Sequence, residues 1–183
     1  MEMTGTRIRQ LIGCGVLVCV LALSGCIAAA VQPQDGEGVR ACLNDVSAGR
    51  RNWSELKVTY DDVHGLYGGL TLTVNGNGQV EQKAVRMSIL PSNPSRIEVA
   101  EPRDVSRTDL VRLLALLQKI QAWQQRVPPR EPVPDESRSQ LTIRCGSEAT
   151  TIWEWYNDMK TNDRIARVIA LMREIAWQPK PDK

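Results

Sequence analysis

Apolar and polar residues alternate in several short stretches after residue 55, a pattern that predicts β-strands. The clearest stretch covers residues 70–74 and is followed by Asn75-Gly76-Asn77-Gly78, residues that tolerate the positive φ angles of a hairpin turn. Residues 80–89 are then expected to pair back as the next strand. The other predicted strands share the same alternation and cover residues 56–61, 96–100, 141–145 and 151–156.

Two stretches have helical spacing instead. In the first, Ser106 and Asp109 form an S-x-x-D capping signal, and Pro128 is expected to end the helix. Its apolar stripe consists of Leu110, Leu113, Leu114, Leu117 and Ile120. The second helix is expected to start near Thr161 or Asn162 and to end before Pro179. Its stripe consists of Ile165, Val168, Ile169, Met172 and Ile175.

The order strands, helix, strands, helix predicts an α+β domain, in which hairpins form an antiparallel sheet and the two helices pack on one face. A parallel α/β sheet is the alternative. It is disfavoured because strands that are joined by tight turns must run antiparallel.

The N-terminus contains Arg7 and Arg9, an apolar stretch over residues 11–23, and then Leu23-Ser24-Gly25-Cys26. Thirteen apolar residues are too few to span a bilayer as a helix, which needs roughly 20. This arrangement resembles the signal peptide and lipobox of bacterial lipoproteins. The resemblance implies that the chain is cut before Cys26, that Cys26 carries the lipid, and that the protein is anchored to a membrane of the cell envelope.

The resemblance also suggests a location. Because Ile27 rather than Asp follows the anchor, we expect the outer membrane, facing the periplasm, in a Gram-negative organism. The predicted organisation is a signal peptide over residues 1–25, a lipidated N-terminus and flexible tether over residues 26–38, and one domain over residues 39–183. Translation could start at Met1 or Met3.

The segment over residues 67–74 with its Asn-Gly turn, the capped Leu-rich helix, and the closing hairpin and helix are similar to a domain found in small bacterial envelope lipoproteins of uncharacterised function. This similarity covers roughly residues 56–177. It implies a fold without implying a reaction.

Charge argues against nucleic-acid binding. Without Glu2, Arg7 and Arg9 of the signal segment, 21 basic and 20 acidic residues remain. A phosphate-binding surface needs a clustered basic excess, whereas here the arginines alternate with acids.

The cysteines predict one disulfide. Of the five, Cys14 and Cys19 leave with the signal peptide and Cys26 is consumed by lipid, so Cys42 and Cys145 remain. Export places them in an oxidising compartment, where such a pair tends to close. The alternative is two cysteines that are buried separately.

Catalytic chemistry is weakly represented. Asp61, Asp62 and His64 form the best enzyme-like cluster, but neighbours on a strand point to opposite faces, so a polar turn is favoured over a metal site. His64 is the only histidine, and the phosphate-binding and nucleophile-elbow motifs are absent from the sequence. Gly68 and Gly69 are interpreted as a bulge or kink. The sequence therefore predicts neither an enzyme, a metal site nor a cofactor.

Trp153 and Trp155 lie at i and i+2 of a predicted strand and could form a platform for a ligand. The favoured interpretation is that their face packs against the helices, with Trp123 and Trp177 near the helix ends completing the core.

Two functional hypotheses follow. The first is a non-enzymatic scaffold, assembly or binding module that engages an envelope protein partner. The second is a lipid-anchored inhibitor or immunity-type protein that blocks an envelope-attacking enzyme through a loop such as residues 127–137.

Overall fold

Three α-helices accompany one antiparallel sheet in the computed structural model, which describes residues 36–64, 67–87, 95–126, 130–131 and 133–177. The helices are α1 (Glu37–Ser47), α2 (Arg107–Lys119) and α3 (Asp163–Trp177). The strands are β1 (Leu56–Asp61), β2 (Gly69–Asn75), β3 (Gln79–Arg86), β4 (Arg96–Val99), β5 (Arg103–Asp104), β6 (Arg138–Cys145) and β7 (Glu148–Trp155). Short 3-10 turns occupy Trp53–Glu55 and Tyr156–Lys160.

The sheet has the order β4-β3-β2-β1-β6-β7, with β5 also paired to β3, and every pairing among these strands is antiparallel. The predicted α+β class with an antiparallel sheet is therefore confirmed. The predicted order of elements is incomplete, because a helix precedes the first strand and the described part contains three α-helices rather than two.

One face of the sheet and all three helices share a single apolar core. Alternate residues of the central strands point into it, for example Val58 on β1, Leu72 on β2 and Ile143 on β6. The opposite face is largely polar and carries a row of threonines. Two cross-strand pairs in this row are hydrogen bonded, Thr59 to Thr73 at 3.2 Å and Thr142 to Thr151 at 2.9 Å.

Helix α1 was not predicted, because Gly36 at its N-cap supplies no side-chain capping bond. It is stabilised by burial of four residues at i, i+3, i+4 and i+7, a spacing that could have revealed it. These residues are Val39, Cys42, Leu43 and Val46.

The predicted disulfide is confirmed. Cys42 of α1 and Cys145 at the end of β6 are joined, with Cα atoms 5.9 Å apart and a sequence separation of 103 residues. The bond secures the N-terminal helix to the sheet.

The start of α2 follows the prediction, because the Ser106 hydroxyl accepts the Asp109 N–H at 3.1 Å. Its end does not, since the helix stops at Lys119, well before Pro128. The guanidinium of Arg164 donates to the backbone carbonyls of Ile120, Gln121 and Gln124, and so satisfies the carbonyl groups beyond the helix end.

The lipobox, Cys26 and most of the predicted tether lie outside the described residues. Helix α1 begins at Glu37, two residues before the predicted domain boundary at residue 39. Within the described ranges, each helix falls short of the length and apolar character that a membrane-spanning helix requires.

Candidate functional site

The residues of the weak metal-ligand hypothesis have structural roles. Asp62 accepts the Leu70 N–H at 2.5 Å and the Tyr60 hydroxyl at 2.7 Å, and Asp61 accepts the Val63 N–H at 3.0 Å. No group of three or more His, Cys, Asp or Glu side chains in the described part of the chain is placed to hold a metal ion. Asp62 therefore organises the β1–β2 connection.

The tryptophan pair is placed differently from the favoured interpretation. Thr150, Ile152 and Glu154 of β7 face the helices and are buried, so Trp153 and Trp155 lie on the opposite face. The expected packing of both indole rings against the helices is not seen, yet Trp155 is buried, at 9% exposure, and Trp153 is half-buried. Trp123 is buried in the core as expected, whereas Trp177 is exposed.

Arginines cover the tryptophan pair instead. The Arg138 guanidinium lies 4.2 Å from the ring centroid of Trp153 and 4.6 Å from that of Trp155, and Arg130 lies 5.4 Å from Trp155. The two rings pack edge to face at 5.1 Å. A platform for a ligand is therefore already occupied by the protein's own cations.

A cleft of about 440 Å³ lies at the end of the sheet where β1 and β7 finish and β2 and β6 begin. This volume is within the range of small-ligand and side-chain pockets. Its lining comes from three separate parts of the sequence, which are residues 62, 64 and 67–69, residues 134–137 and residues 156–157. We treat it as the candidate functional site.

The first wall is the connection from β1 to β2. His64 and Gly68 exchange backbone hydrogen bonds of 2.8 and 2.9 Å, which places the imidazole against the Tyr67 ring at 5.0 Å in a stacked geometry. A glycine is required at position 68, where φ is +75° and a Cβ would meet the Val85 carbonyl at 1.9 Å. The predicted bulge or kink therefore serves to bring this wall close to β3.

The second wall is held by an ion-pair network. The Arg130 guanidinium bonds both oxygens of Glu136 at 2.7 and 2.8 Å and both oxygens of Asp158 at 2.9 and 3.1 Å. Glu136 also accepts the Asn157 N–H at 3.1 Å. These contacts join the 130–137 segment to the end of β7 and fix the shape of the cleft.

Glu136 contributes a carboxylate to this wall, and the guanidinium of Arg130 already neutralises its charge. Its side chain is 1% exposed. Burial on its own raises the pKa of Glu136, but the bonds from Arg130 and from the backbone N–H groups of Asn157 and Val133 outweigh burial and hold the pKa below its ordinary value. The carboxylate and its arginine therefore stay ionised at neutral pH.

The rim of the cleft is exposed and aromatic. Tyr67 is 78% exposed and Tyr156 is 56% exposed. The exposed Val63 and Val133 are next in sequence to the lining residues His64 and Pro134. Large apolar side chains that gather at one place on a surface mark interaction sites more often than scattered ones do.

The rim also carries negative charge. Asp135 is exposed and adopts a left-handed backbone conformation with φ of 60°. The ion pairs found among the described residues engage Glu136 and Asp62 from this lining but not Asp135. Arg173 reaches Asp62 only at 4.0 Å. The cleft therefore offers aromatic surface beside a carboxylate that makes no ion pair with any described residue.

Sequence reasoning singled out parts of this lining, including Asp62 and His64, but did not bring them together, because no local motif marks the cleft. The segment over residues 127–137 was singled out as a long loop, and its described part supplies the second wall. Two signals were available in the sequence. One is Tyr156 at the end of a predicted strand, and the other is the Pro- and acid-rich segment before β6.

Comparison of the chain with protein-family models finds none that matches, and comparison with curated proteins finds no similar sequence.

Proposed function

We propose that this protein is a lipid-anchored binding module of the bacterial envelope, and that its cleft binds a basic segment of a protein partner. The observation that carries the proposal is the exposed pair Tyr67 and Tyr156 beside the uncompensated carboxylate of Asp135.

A guanidinium or ammonium group is the chemistry that this lining suits best. Cations are attracted to the faces of aromatic rings and to carboxylates, and the attraction is stronger in a cleft than on a flat surface. The protein uses the same combination internally, where Arg130 contacts Trp155, Glu136 and Asp158. A partner's arginine or lysine would make equivalent contacts in the cleft.

The start of the described chain lies away from the cleft. Gly38 at the start of α1 lies against Glu148, the first residue of β7, whereas the cleft lies at the other end of that strand.

Anchoring through Cys26 is supported by the order of arginines, apolar stretch and small residues before it. Cys26→Ser should abolish labelling by a clickable palmitate analogue, because the lipid needs the thiol. Cys14→Ser is the matched control, and its label should be unchanged. Equal labelling of the wild type and Cys26→Ser would contradict the anchor.

Binding at the cleft is tested by a photo-crosslinking amino acid in place of Tyr67 in intact cells. We expect a discrete crosslinked protein that is reduced several-fold by Asp135→Asn, because that change removes the charge and keeps the shape. The control places the same crosslinker at Thr151, which is exposed on the polar face of the sheet. Equal crosslinking from both positions, or no effect of Asp135→Asn, would contradict the proposal.

The inhibitor or immunity hypothesis places function in the same region, because the described part of the 127–137 segment forms one wall of the cleft. The identity of the protein captured from position 67 separates the two. An envelope hydrolase or toxin would favour the inhibitor, and a stable structural component of the envelope would favour the scaffold or binding module.

A further inference from the structure

The two edge strands of the sheet, β7 and β4, differ in how their outer backbone groups are paired. At the β7 edge, the side-chain amide of Gln125 donates to the Trp153 carbonyl at 2.9 Å and accepts the Trp153 N–H at 2.9 Å. A side chain thus takes the place of a further strand at this point. At the other edge, no described residue pairs with the outer side of β4.

The outer side of β4 is ready to pair. Ala100 directs its N–H to the Gln82 carbonyl of β3 at 3.0 Å, so the alternate residues Ile97 and Val99 direct their N–H and C=O groups away from β3. The side chains of Ile97 and Val99 are also exposed, on the polar face of the sheet. An unpaired edge that exposes apolar side chains is a template for another strand.

The charges on β4 point to a specific partner. Arg96 lies directly opposite Arg86 of β3, a like-charge pair that opposes pairing. Glu98 already bonds Arg86 at 3.1 Å, and Arg96 makes no ion pair with any described residue. Arg96 therefore lacks an anion among the described residues. A strand that carries a glutamate two residues from an arginine supplies one.

We propose that β4 pairs antiparallel with β4 of a second copy of this chain, across a two-fold axis at Ile97. This register places Arg96 of each copy opposite Glu98 of the other and brings the two Ile97 side chains together. The register centred on Glu98 would instead oppose two glutamates. The resulting assembly is one continuous sheet through both copies.

The association is weak in solution and is favoured on a membrane. A strand of four residues buries less surface than the roughly 1,200 Å² of stable complexes, so the dimer should be weak in solution. Confinement of lipid-anchored copies to one surface raises their effective concentration. The pairing surface itself does not depend on the cleft or on its ligand.

Ile97→Cys in the full-length protein in cells tests the proposal. Residues that face each other as a hydrogen-bonded antiparallel pair have Cα atoms about 5.5 Å apart, within the range of a disulfide. We expect a disulfide-linked dimer on a non-reducing gel. Val111→Cys is the matched control, because Val111 is exposed on α2 and lies outside the interface. Equal dimer yields from positions 97 and 111 would overturn the proposal.

Charge reversal tests the register. Adding Arg96→Glu to Ile97→Cys should lower the dimer fraction several-fold, because two glutamates then face each other in each pair. Adding both Arg96→Glu and Glu98→Arg restores complementarity and should restore the dimer. The pairing would be overturned if the single reversal leaves the dimer fraction unchanged. It would also be overturned if the double-reversal variant is folded and secreted but does not regain the dimer. Circular dichroism of each variant verifies its fold.

Discussion

The tryptophan pair and the cleft are both aromatic regions near one end of the sheet, yet they differ in what covers their rings. Arg138 and Arg130 lie over Trp153 and Trp155. In the cleft, Tyr67 and Tyr156 are exposed, and the cation–π contacts found in the described ranges do not involve them. The first region supplies its own cations, and the second does not. Aromatic residues therefore indicate a cation-binding site only where the protein places no cation of its own over their rings.

The largest expected effect on stability comes from removing the disulfide of the domain that contains both regions. Cys42→Ala with Cys145→Ala removes a crosslink that encloses about a hundred residues and should lower the free energy of unfolding by about 4 to 5 kcal/mol. Urea denaturation of the variant and of the reduced wild type measures this.

The same variant sharpens the comparison. Cys145 pairs with Leu56 at the end of the sheet opposite to the cleft, so binding by the fraction that stays folded should be unchanged. A loss of stability below about 1 kcal/mol would contradict the role given to the crosslink.

The next largest effect concerns Glu154. This residue lies between the two tryptophans in the sequence, but its side chain faces the core. It is 1% exposed, and burial raises its pKa from 4.5 to about 7 against the opposing effect of Arg164. Because the folded state then holds the Glu154 proton more tightly than the unfolded state, the contribution of Glu154 to stability is greatest below about pH 4.5 and falls as the pH rises to about 7.

Glu154→Gln should remove this pH dependence and stabilise the fold at pH 8 by about 3 kcal/mol, since each pKa unit corresponds to about 1.4 kcal/mol. Urea denaturation at pH 5 and pH 8 measures both values. Glu148→Gln is the control, because Glu148 is exposed on the same strand. If the two variants show the same pH dependence, Glu154 is not the group responsible.

The smallest expected change in stability comes from uncovering the tryptophan pair. Arg138→Ala should cost about 1 kcal/mol, the usual size of a cation–π contact, and should shift tryptophan fluorescence to longer wavelength as the rings meet water. Arg144→Ala, on the same strand and face, should change stability by less than about 0.5 kcal/mol. Equal effects of the two substitutions would show that the rings do not depend on Arg138.

Alternation and turn residues were sufficient to predict the sheet class and the β2–β3 hairpin, because Asn75 to Gly78 impose a turn and the flanking residues alternate. They could not predict which face of β7 is buried. The sequence places Trp153 and Trp155 on one face and Ile152 and Glu154 on the other, and hydrophobicity favours the tryptophans as the core. The structure buries Glu154, since the helices pack on its side.

The cleft lay beyond prediction for a related reason. Its lining is assembled by the β1–β6 and β6–β7 pairings, which bring Asp62 close to Ser137 and Tyr156. The register of strands far apart in sequence is decided by packing. The Cys42–Cys145 pair was predictable because the expected signal peptide and lipid anchor would account for the other three of the five cysteines.

The central claim is that the cleft binds a cation that the protein does not supply. The direct measurement is an NMR titration of the mature chain with the peptide acetyl-Gly-Arg-Gly-amide and with its citrulline analogue, which has the same shape without the charge. The account predicts amide shifts at Gly69, Asp135 and Asn157 with the arginine peptide alone, and about tenfold weaker binding in Asp135→Asn, equivalent to about 1.4 kcal/mol. Equal binding of the two peptides, or shifts centred on Trp153 and Trp155, would contradict it.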